Sequence, residues 1–300
     1  MKLIQDFYVR YTEESLGNRN LFYRKKNDLR SFCLLNWNTN EVEWEITYFS
    51  TIYLSTFINL FFVEFSSKLE RTIIRAFSFN SKVQLWEYDV SEIGSYRRPG
   101  EFEDSIGEVL QFAGCYKGML NVLITGGKYI ALNVDTGELC WELKDVAVNK
   151  TKQQFDFGLG AYHPFLNEEE GLIYELQGDV FSIIDLKIQQ ASFEWTSLDL
   201  PESEYLFFIQ TKLFNNQIYF TASRLENSGY ADVIGVFDIA TQKIIWRHQI
   251  DLGKRGFIPN SQEMLQVNEK RIGVLDNTGT LHVFEKEITG KTEESEHIAT

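Results

Sequence analysis

One short phrase constrains the fold of this chain more than any other feature, because its 300 residues keep repeating it. The fullest copy reads Tyr129-Ile-Ala-Leu-Asn-Val-Asp-Thr-Gly-Glu-Leu-Cys-Trp141. A short apolar strand runs into a polar turn with Asp-x-Gly chemistry, and a second strand then reaches Trp within a few residues. Turn residues of this kind tolerate left-handed backbone angles and cap their own amides, so they reverse the chain tightly. Related copies are Cys33-Leu-Leu-Asn-Trp-Asn-Thr-Asn-Glu-Val-Glu-Trp44 and Ile234-Gly-Val-Phe-Asp-Ile-Ala-Thr-Gln-Lys-Ile-Ile-Trp246. Fainter ones run from Arg75 to Trp86 and from Val180 to Trp195. The last, Thr280-Leu-His-Val-Phe-Glu-Lys-Glu-Ile-Thr-Gly-Lys291, has no Trp at its end.

Measured on the Trp, the steps are 42 (44 to 86), 55 (86 to 141), 54 (141 to 195) and 51 (195 to 246). If Thr289 aligns with Thr136 and Thr241, the missing sixth Trp would fall at position 294, a step of 48. Repeats of about 40–50 residues suit a four-stranded propeller blade. The segments are short, rich in Ile, Val, Phe, Tyr and Thr, and bounded by turn residues, which is a strand pattern and not a helical one. The expectation is an all-β chain, a single β-propeller of six four-stranded antiparallel blades. The region before Cys33 and the gap after Trp86 leave seven open. Residues 3–11 would add a strand to the final sheet and close the ring, since open edges invite aggregation. The propeller would span residues 1–290, with residues 291–300 a disordered acidic tail.

The third copy reads strand by strand. Residues 109–114 form an innermost strand and 119–124 the second. Thr125-Gly-Gly turns the chain into residues 128–133, and Asp135-Thr-Gly turns it again into an outer strand carrying Trp141. A large ring at that place fills the gap between twisted neighbouring sheets. The Trp series is therefore packing.

The wording "strand, Ala-Leu-Asn, Asp-Thr-Gly-Glu, strand to Trp" resembles the repeat of pyrroloquinoline-quinone (PQQ) dehydrogenases and their non-enzymatic relatives. Residues 131–141 and 279–291 carry the resemblance most closely. It implies a quinoprotein-like β-propeller. Those enzymes use a vicinal Cys pair and a calcium cluster. Here Cys33, Cys115 and Cys140 are far apart, so the resemblance implies the fold without the cofactor.

With 44% hydrophobic and 15% aromatic residues the chain can bury a substantial core. The opening Met-Lys-Leu-Ile-Gln-Asp lacks the apolar centre of a secretory signal. Three cysteines make no disulfide framework. Both features point to the cytoplasm. Residues 46–63 carry no charge and approach the length of a membrane span. Their Ser, Thr and β-forming residues fit two buried strands around a turn better. The net charge of −14 and pI near 4.8 argue against nucleic acid, whose phosphates need a basic surface. A basic protein partner fits instead.

No motif supports an enzyme. His163, His248, His282 and His297 are scattered, and no His-x-x-x-His, Cys-x-x-Cys or Gly-x-Ser-x-Gly occurs. Thr125-Gly-Gly-Lys128 is a hairpin and not a phosphate loop. Asp135-Thr-Gly and Asp276-Asn-Thr-Gly are turns before they are metal loops. No catalytic, cofactor or metal residue is assigned.

Long loops gathered on one face of a rigid scaffold are where binding usually resides. The candidate partner site is the link carrying Tyr96, Arg97, Arg98, Glu101, Phe102, Glu103 and Asp104, with Glu226 and Tyr230 in a loop on the same face. The function expected is protein binding without chemistry. Small acidic propellers of this kind resemble the immunity proteins that bacteria encode beside antibacterial toxins, which act by covering a basic active cleft. The alternatives are an enzyme or carbohydrate binder using the channel mouth, and a scaffold subunit of a larger assembly.

Overall fold

In the computed structural model the described residues are 19–26, 29–36, 38–39, 41–48, 53–56, 58–66, 71–93, 105–125, 128–143, 164–177, 180–194, 206–224, 231–251, 258 and 264–286. They form six antiparallel sheets of consecutive strands. The first contains β1 (Arg19–Lys26), β2 (Leu29–Asn36) and β3 (Glu41–Tyr48). The second contains β4 (Tyr53–Ser55), β5 (Asn59–Ser66), β6 (Arg71–Ser78) and β7 (Gln84–Asp89), and the third β8 (Val109–Tyr116), β9 (Met119–Ile124), β10 (Lys128–Asn133) and β11 (Leu139–Leu143). The fourth contains β12 (Phe165–Asn167), β13 (Leu172–Gln177), β14 (Val180–Asp185) and β15 (Gln190–Glu194). The fifth contains β16 (Leu206–Phe214), β17 (Gln217–Arg224), β18 (Val233–Asp238) and β19 (Lys243–Gln249), and the last β20 (Leu265–Val267), β21 (Arg271–Leu275) and β22 (Leu281–Glu285). Four sheets thus have four strands and two have three among the described residues. Residues 3–11, expected to close the ring, and 291–300, expected to be a frayed tail, lie outside them.

The chain divides into two compact units. One comprises Met1–Asp156, Leu166–Tyr174 and Ile184–Ser192, the other Phe157–Phe165, Glu175–Ile183 and Phe193–Thr300.

The repeated phrase becomes the third strand, turn and outer strand of a sheet. The turn is capped from the end of the third strand. Asn133 Oδ1 accepts the amides of Asp135 and Thr136 at 2.9 and 3.0 Å. Asn36, Asp185 and Asp238 do the same in their sheets, and Ser78 Oγ takes the role in the second. The capping oxygen therefore sits two residues before Asp135, the residue the sequence singles out. The turn closes on a left-handed residue: Lys82, Gly137, Gln189 or Gln242.

The outer strands share a second device. Trp44, Trp86, Trp141 and Trp246 pair with Leu34, Ala76, Ala131 and Val236, and the register slips by one residue just before each Trp. Glu43, Leu85, Cys140 and Ile245 are the extra residues. A bulge of this kind twists the strand and re-aims the next side chain. β22 is the third strand of the last sheet and pairs with β21 in continuous register.

Trp86 shows where the rings go. It is buried in a core shared by the second and third sheets, with Phe61, Ile74 and Ala76 on one side and Leu120, Val122 and Leu132 on the other. Its Nε1 donates to the Val134 carbonyl at 2.8 Å, inside the turn of the next sheet. Trp44 packs in the same way on Phe77 and Phe79, at ring separations of 5.9 and 6.1 Å. Trp246 packs on Phe284 at 5.4 Å, in a core joining the fifth and last sheets. Trp195 lies outside the described residues. The expected packing role of the series holds for these three rings.

The uncharged run 46–63 is the end of β3, then β4, a turn and β5. Thr56 N donates to the Asn59 carbonyl at 2.8 Å across that turn, and Phe61, Phe62 and Val63 are buried. No helix of the described residues is long and apolar enough to cross a membrane.

Two glycines separate backbone strain from crowding. Gly118 and Gly137 have nearly equal positive φ, 75° and 73°. A Cβ on Gly118 meets nothing within 4 Å, whereas one on Gly137 comes within 2.6 Å of the Trp86 ring. Both Ala variants should lose about 1–2 kcal/mol to the left-handed backbone. Gly137→Ala should lose about 1–3 kcal/mol more from overpacking. Urea unfolding of both variants tests this; equal midpoints would mean the Trp86 contact does not set the turn.

Candidate functional site

Each sheet has two ends with different character. At one end the turn after the first strand meets the turn before the outer strand. Phe79 N donates to Ile58 O at 2.9 Å, Val134 N to Gly118 O at 2.9 Å, Leu186 N to Gly171 O at 3.0 Å and Ile239 N to Asn216 O at 3.4 Å. In the last sheet Lys286 N donates to Lys270 O at 2.8 Å in the same arrangement. Turns tied to one another this way have their backbone groups satisfied internally.

The other end carries the links between sheets and the loops between second and third strands. All nine residues of the candidate partner site fall in such segments of the sequence, and all nine lie outside the described residues: Tyr96, Arg97, Arg98, Glu101, Phe102, Glu103, Asp104, Glu226 and Tyr230. Their anchors are described. Gly107 N donates to the Ser91 carbonyl at 2.8 Å, which brings the two ends of the link from β7 to β8 together. Ser91 Oγ accepts the Thr72 amide at 2.9 Å, and the Lys128 ammonium donates to the Ile93 carbonyl. On the far side Glu108 N donates to Thr125 Oγ1, while Thr125 N donates to the Glu108 carbonyl, both at 2.9 Å. In the other unit Asp232 N donates to the Ala222 carbonyl at 3.0 Å and closes the base of the loop bearing Glu226 and Tyr230.

The motifs set aside on sequence grounds behave as turns. Ile124 ends β9 and pairs with Lys128 at the start of β10, so Thr125 opens the turn, as a hairpin requires. Glu168, Glu169 and Glu170 form the exposed turn between β12 and β13. Glu170 accepts the Tyr174 hydroxyl at 2.7 Å. Burial and that hydrogen bond to a carboxylate push the Tyr174 hydroxyl up to about 12. Cys33 is buried and Cys140 exposed. Among the described residues no three His, Cys, Asp or Glu side chains gather as a metal site. His163 and His297 lie outside those residues, and His248 stacks on Trp246 from the exposed face of β19.

One acid–histidine pair stands apart. Asp276, buried in the turn between β21 and β22, accepts three donors at Oδ1: the Thr278 amide at 2.8 Å, its hydroxyl at 2.6 Å and the Thr280 amide at 2.9 Å. Oδ2 lies 3.0 Å from His282 Nε2. Burial works against the charged carboxylate. The bonds from Thr278, His282 and Thr280 outweigh it and hold Asp276 well below the usual carboxylate range. Its acceptor sites are spent on its own turn, so the geometry is that of a structural latch. Sequence reading found Asp276-Asn-Thr-Gly but not its partner His282, because the six-residue separation has no periodic signature.

No family model matches the chain, and no curated protein does. Solved structures do match. BamB from Moraxella catarrhalis is 11% identical, with 93% of this chain and 85% of that chain covered at a TM-score of 0.50. Sqt1 from Saccharomyces cerevisiae is 9% identical over 92% of this chain and 69% of that one, at 0.54. The WD40 repeats of RRP9 are 8% identical over 93% and 79%, at 0.50. BamB is a PQQ-like propeller and the other two are WD40 propellers. The likeness shows a β-propeller fold.

Asp276 also sets an acid response. Its folded pKa is depressed, so its contribution is fully present above about 3.9, the unfolded value. That contribution is lost as pH falls below there. Asp276→Asn should cost about 1–3 kcal/mol at neutral pH, and the deficit should shrink as pH falls through 4 to 2.5. Urea midpoints at pH 7 and pH 3 check this, and a deficit independent of pH would assign the latch to shape rather than charge.

Proposed function

We propose that this chain is a non-enzymatic, protein-binding propeller of the PQQ-like type that works in the cytoplasm. The observation that carries the reading is a net charge of −14 on a propeller scaffold. A surface of that sign attracts a basic protein and repels nucleic acid. Within that class the reading is an immunity protein that neutralises a toxin by covering a basic active cleft. The contact would be made by Glu101, Glu103 and Asp104 with Tyr96, Arg97, Arg98 and Phe102 around them, and by Glu226 and Tyr230. The closed base at Ser91 and Gly107 supports it, since a loop held at both ends loses less freedom on binding.

The architecture proposed for this role is one domain of six blades over residues 1–290. Residues 3–11 complete the last sheet, where position 294, the place of the missing Trp, holds Glu294. Deleting residues 1–12 should then abolish soluble expression. A soluble product with an unchanged melting temperature would remove the closure.

The functional test uses a basic toxin domain encoded beside this chain's gene. Association should slow sharply between 0.01 and 0.1 M salt, as the Debye length falls from ~30 to ~10 Å. Charge reversal of Glu101, Glu103 and Asp104 together should slow it by about tenfold or more with the fold intact, an effect on encounter and not on stability. Stopped-flow rates for the wild type and the triple variant decide it; indifference to both salt and reversal would sink the steered inhibitor.

A further inference from the structure

The residue that follows the third strand has a fixed task, donating its amide to the first turn of its own sheet while its side chain points into the packing. In four sheets it is Phe79, Val134, Leu186 or Ile239. Phe79, Leu186 and Ile239 are buried and Val134 packs against the core. In the last sheet the same place holds Lys286. A cation stands where the repeat otherwise uses a hydrocarbon.

The surroundings suit the cation. Lys286 Nζ lies 4.7 Å from the centroid of the Phe214 ring and 4.4 Å from that of Tyr219. The two rings are 6.4 Å apart at 66°, so they form two walls of a corner. The electron-rich ring faces attract an ammonium at these distances. Glu269, in the turn between β20 and β21, supplies negative charge that opposes the loss of the proton which burial favours. Lys270 and Arg271, beside it, turn their amides to Asn268 Oδ1. Lys212 donates to Gln266 along the same border.

The corner does not depend on its occupant. Tyr219 is 2% exposed, and its hydroxyl donates to Gln217 Oε1 at 2.8 Å. Phe214 ends β16 in register with Gln217. Asn215 Nδ2 donates to both oxygens of Glu269 at 3.2 and 3.1 Å. Each wall and the counter-charge are held by groups other than Lys286. We propose that Phe214, Tyr219 and Glu269 form a binding site for a primary alkylammonium group, which Lys286 fills from within the chain.

The site then behaves as a clasp joining the end of β22 to the fifth sheet. Vacating it leaves a formed receptor. Lys286→Ala is the direct test, with n-butylammonium chloride as the probe and sodium chloride at equal ionic strength as the reference. The variant should melt below the wild type, and n-butylammonium should restore at least half of the difference in a saturable way. The wild type, whose corner is full, should not respond beyond the salt reference. Adding Phe214→Leu to the variant should remove the rescue. An equal response from wild type and variant, or no saturable rescue, would overturn the site. If Lys286→Ala does not fold, reductive 13C-methylation of the wild-type lysines reads the same geometry. One dimethyl-lysine resonance should be shifted upfield by the two rings and be missing in Lys286→Arg. A spectrum without such a resonance would equally overturn it.

Discussion

The indole of Trp86 and the turn of the following sheet hold one another in place, and the logic of the repeat rests on that contact. The ring covers Gly137, where a Cβ would stand 2.6 Å away, and its N–H reaches the Val134 carbonyl at 2.8 Å. A buried indole without an acceptor would cost about as much as a lost hydrogen bond. The turn without the ring would open Gly137 to water. The bulge at Leu85 aims the ring, and Asn133 caps the turn that receives it. Trp44 and Trp246 likewise reach aromatic rings of the sheet that follows.

This coupling divides the labour between the two ends of a sheet. Where turns bond to turns, their amides and carbonyls are spent on the scaffold itself. Where the links and long loops leave, their bases are tied, as at Ser91 and Gly107 or at Ala222 and Asp232. A binding surface needs groups that the fold does not already use. The functional proposal draws its contacts from segments of this second kind, the link between β7 and β8 and the loop between β17 and β18.

Much of the fold was legible because it is periodic. The third copy was read as strands at 109–114, 119–124 and 128–133 with an outer strand carrying Trp141, and the third sheet has strands at Val109–Tyr116, Met119–Ile124, Lys128–Asn133 and Leu139–Leu143. The charge-free run at 46–63 was read as strands because its Ser, Thr and Asn residues mark turns, and Thr56 and Asn59 make one. The bulges were not legible, since nothing in Glu43, Leu85, Cys140 and Ile245 announces an extra residue. The capping atom was misplaced for a related reason. Asp135 stands out in the turn, but Asn133 at the strand end is the residue whose side chain can reach two successive amides. Lys286 was hidden by its own surroundings, a polar residue in a polar stretch, until the shared backbone bond aligned it with Phe79 and Leu186. The candidate partner residues carry no repeat at all, so sequence could place them only by loop length and charge.

The bond from Gly107 to Ser91 has a consequence for how such a chain can diversify. The stretch between Ile93 and Gly107 starts and ends at points fixed by the Gly107–Ser91 bond, the Lys128–Ile93 bond and the packing of Ile93 on the core. The entropy of closing a loop grows with the logarithm of its length, and doubling the span costs only about 0.6 kcal/mol. Selection, or an engineer, can therefore rewrite or lengthen this segment to meet a new surface while the β-strands beneath it keep their register.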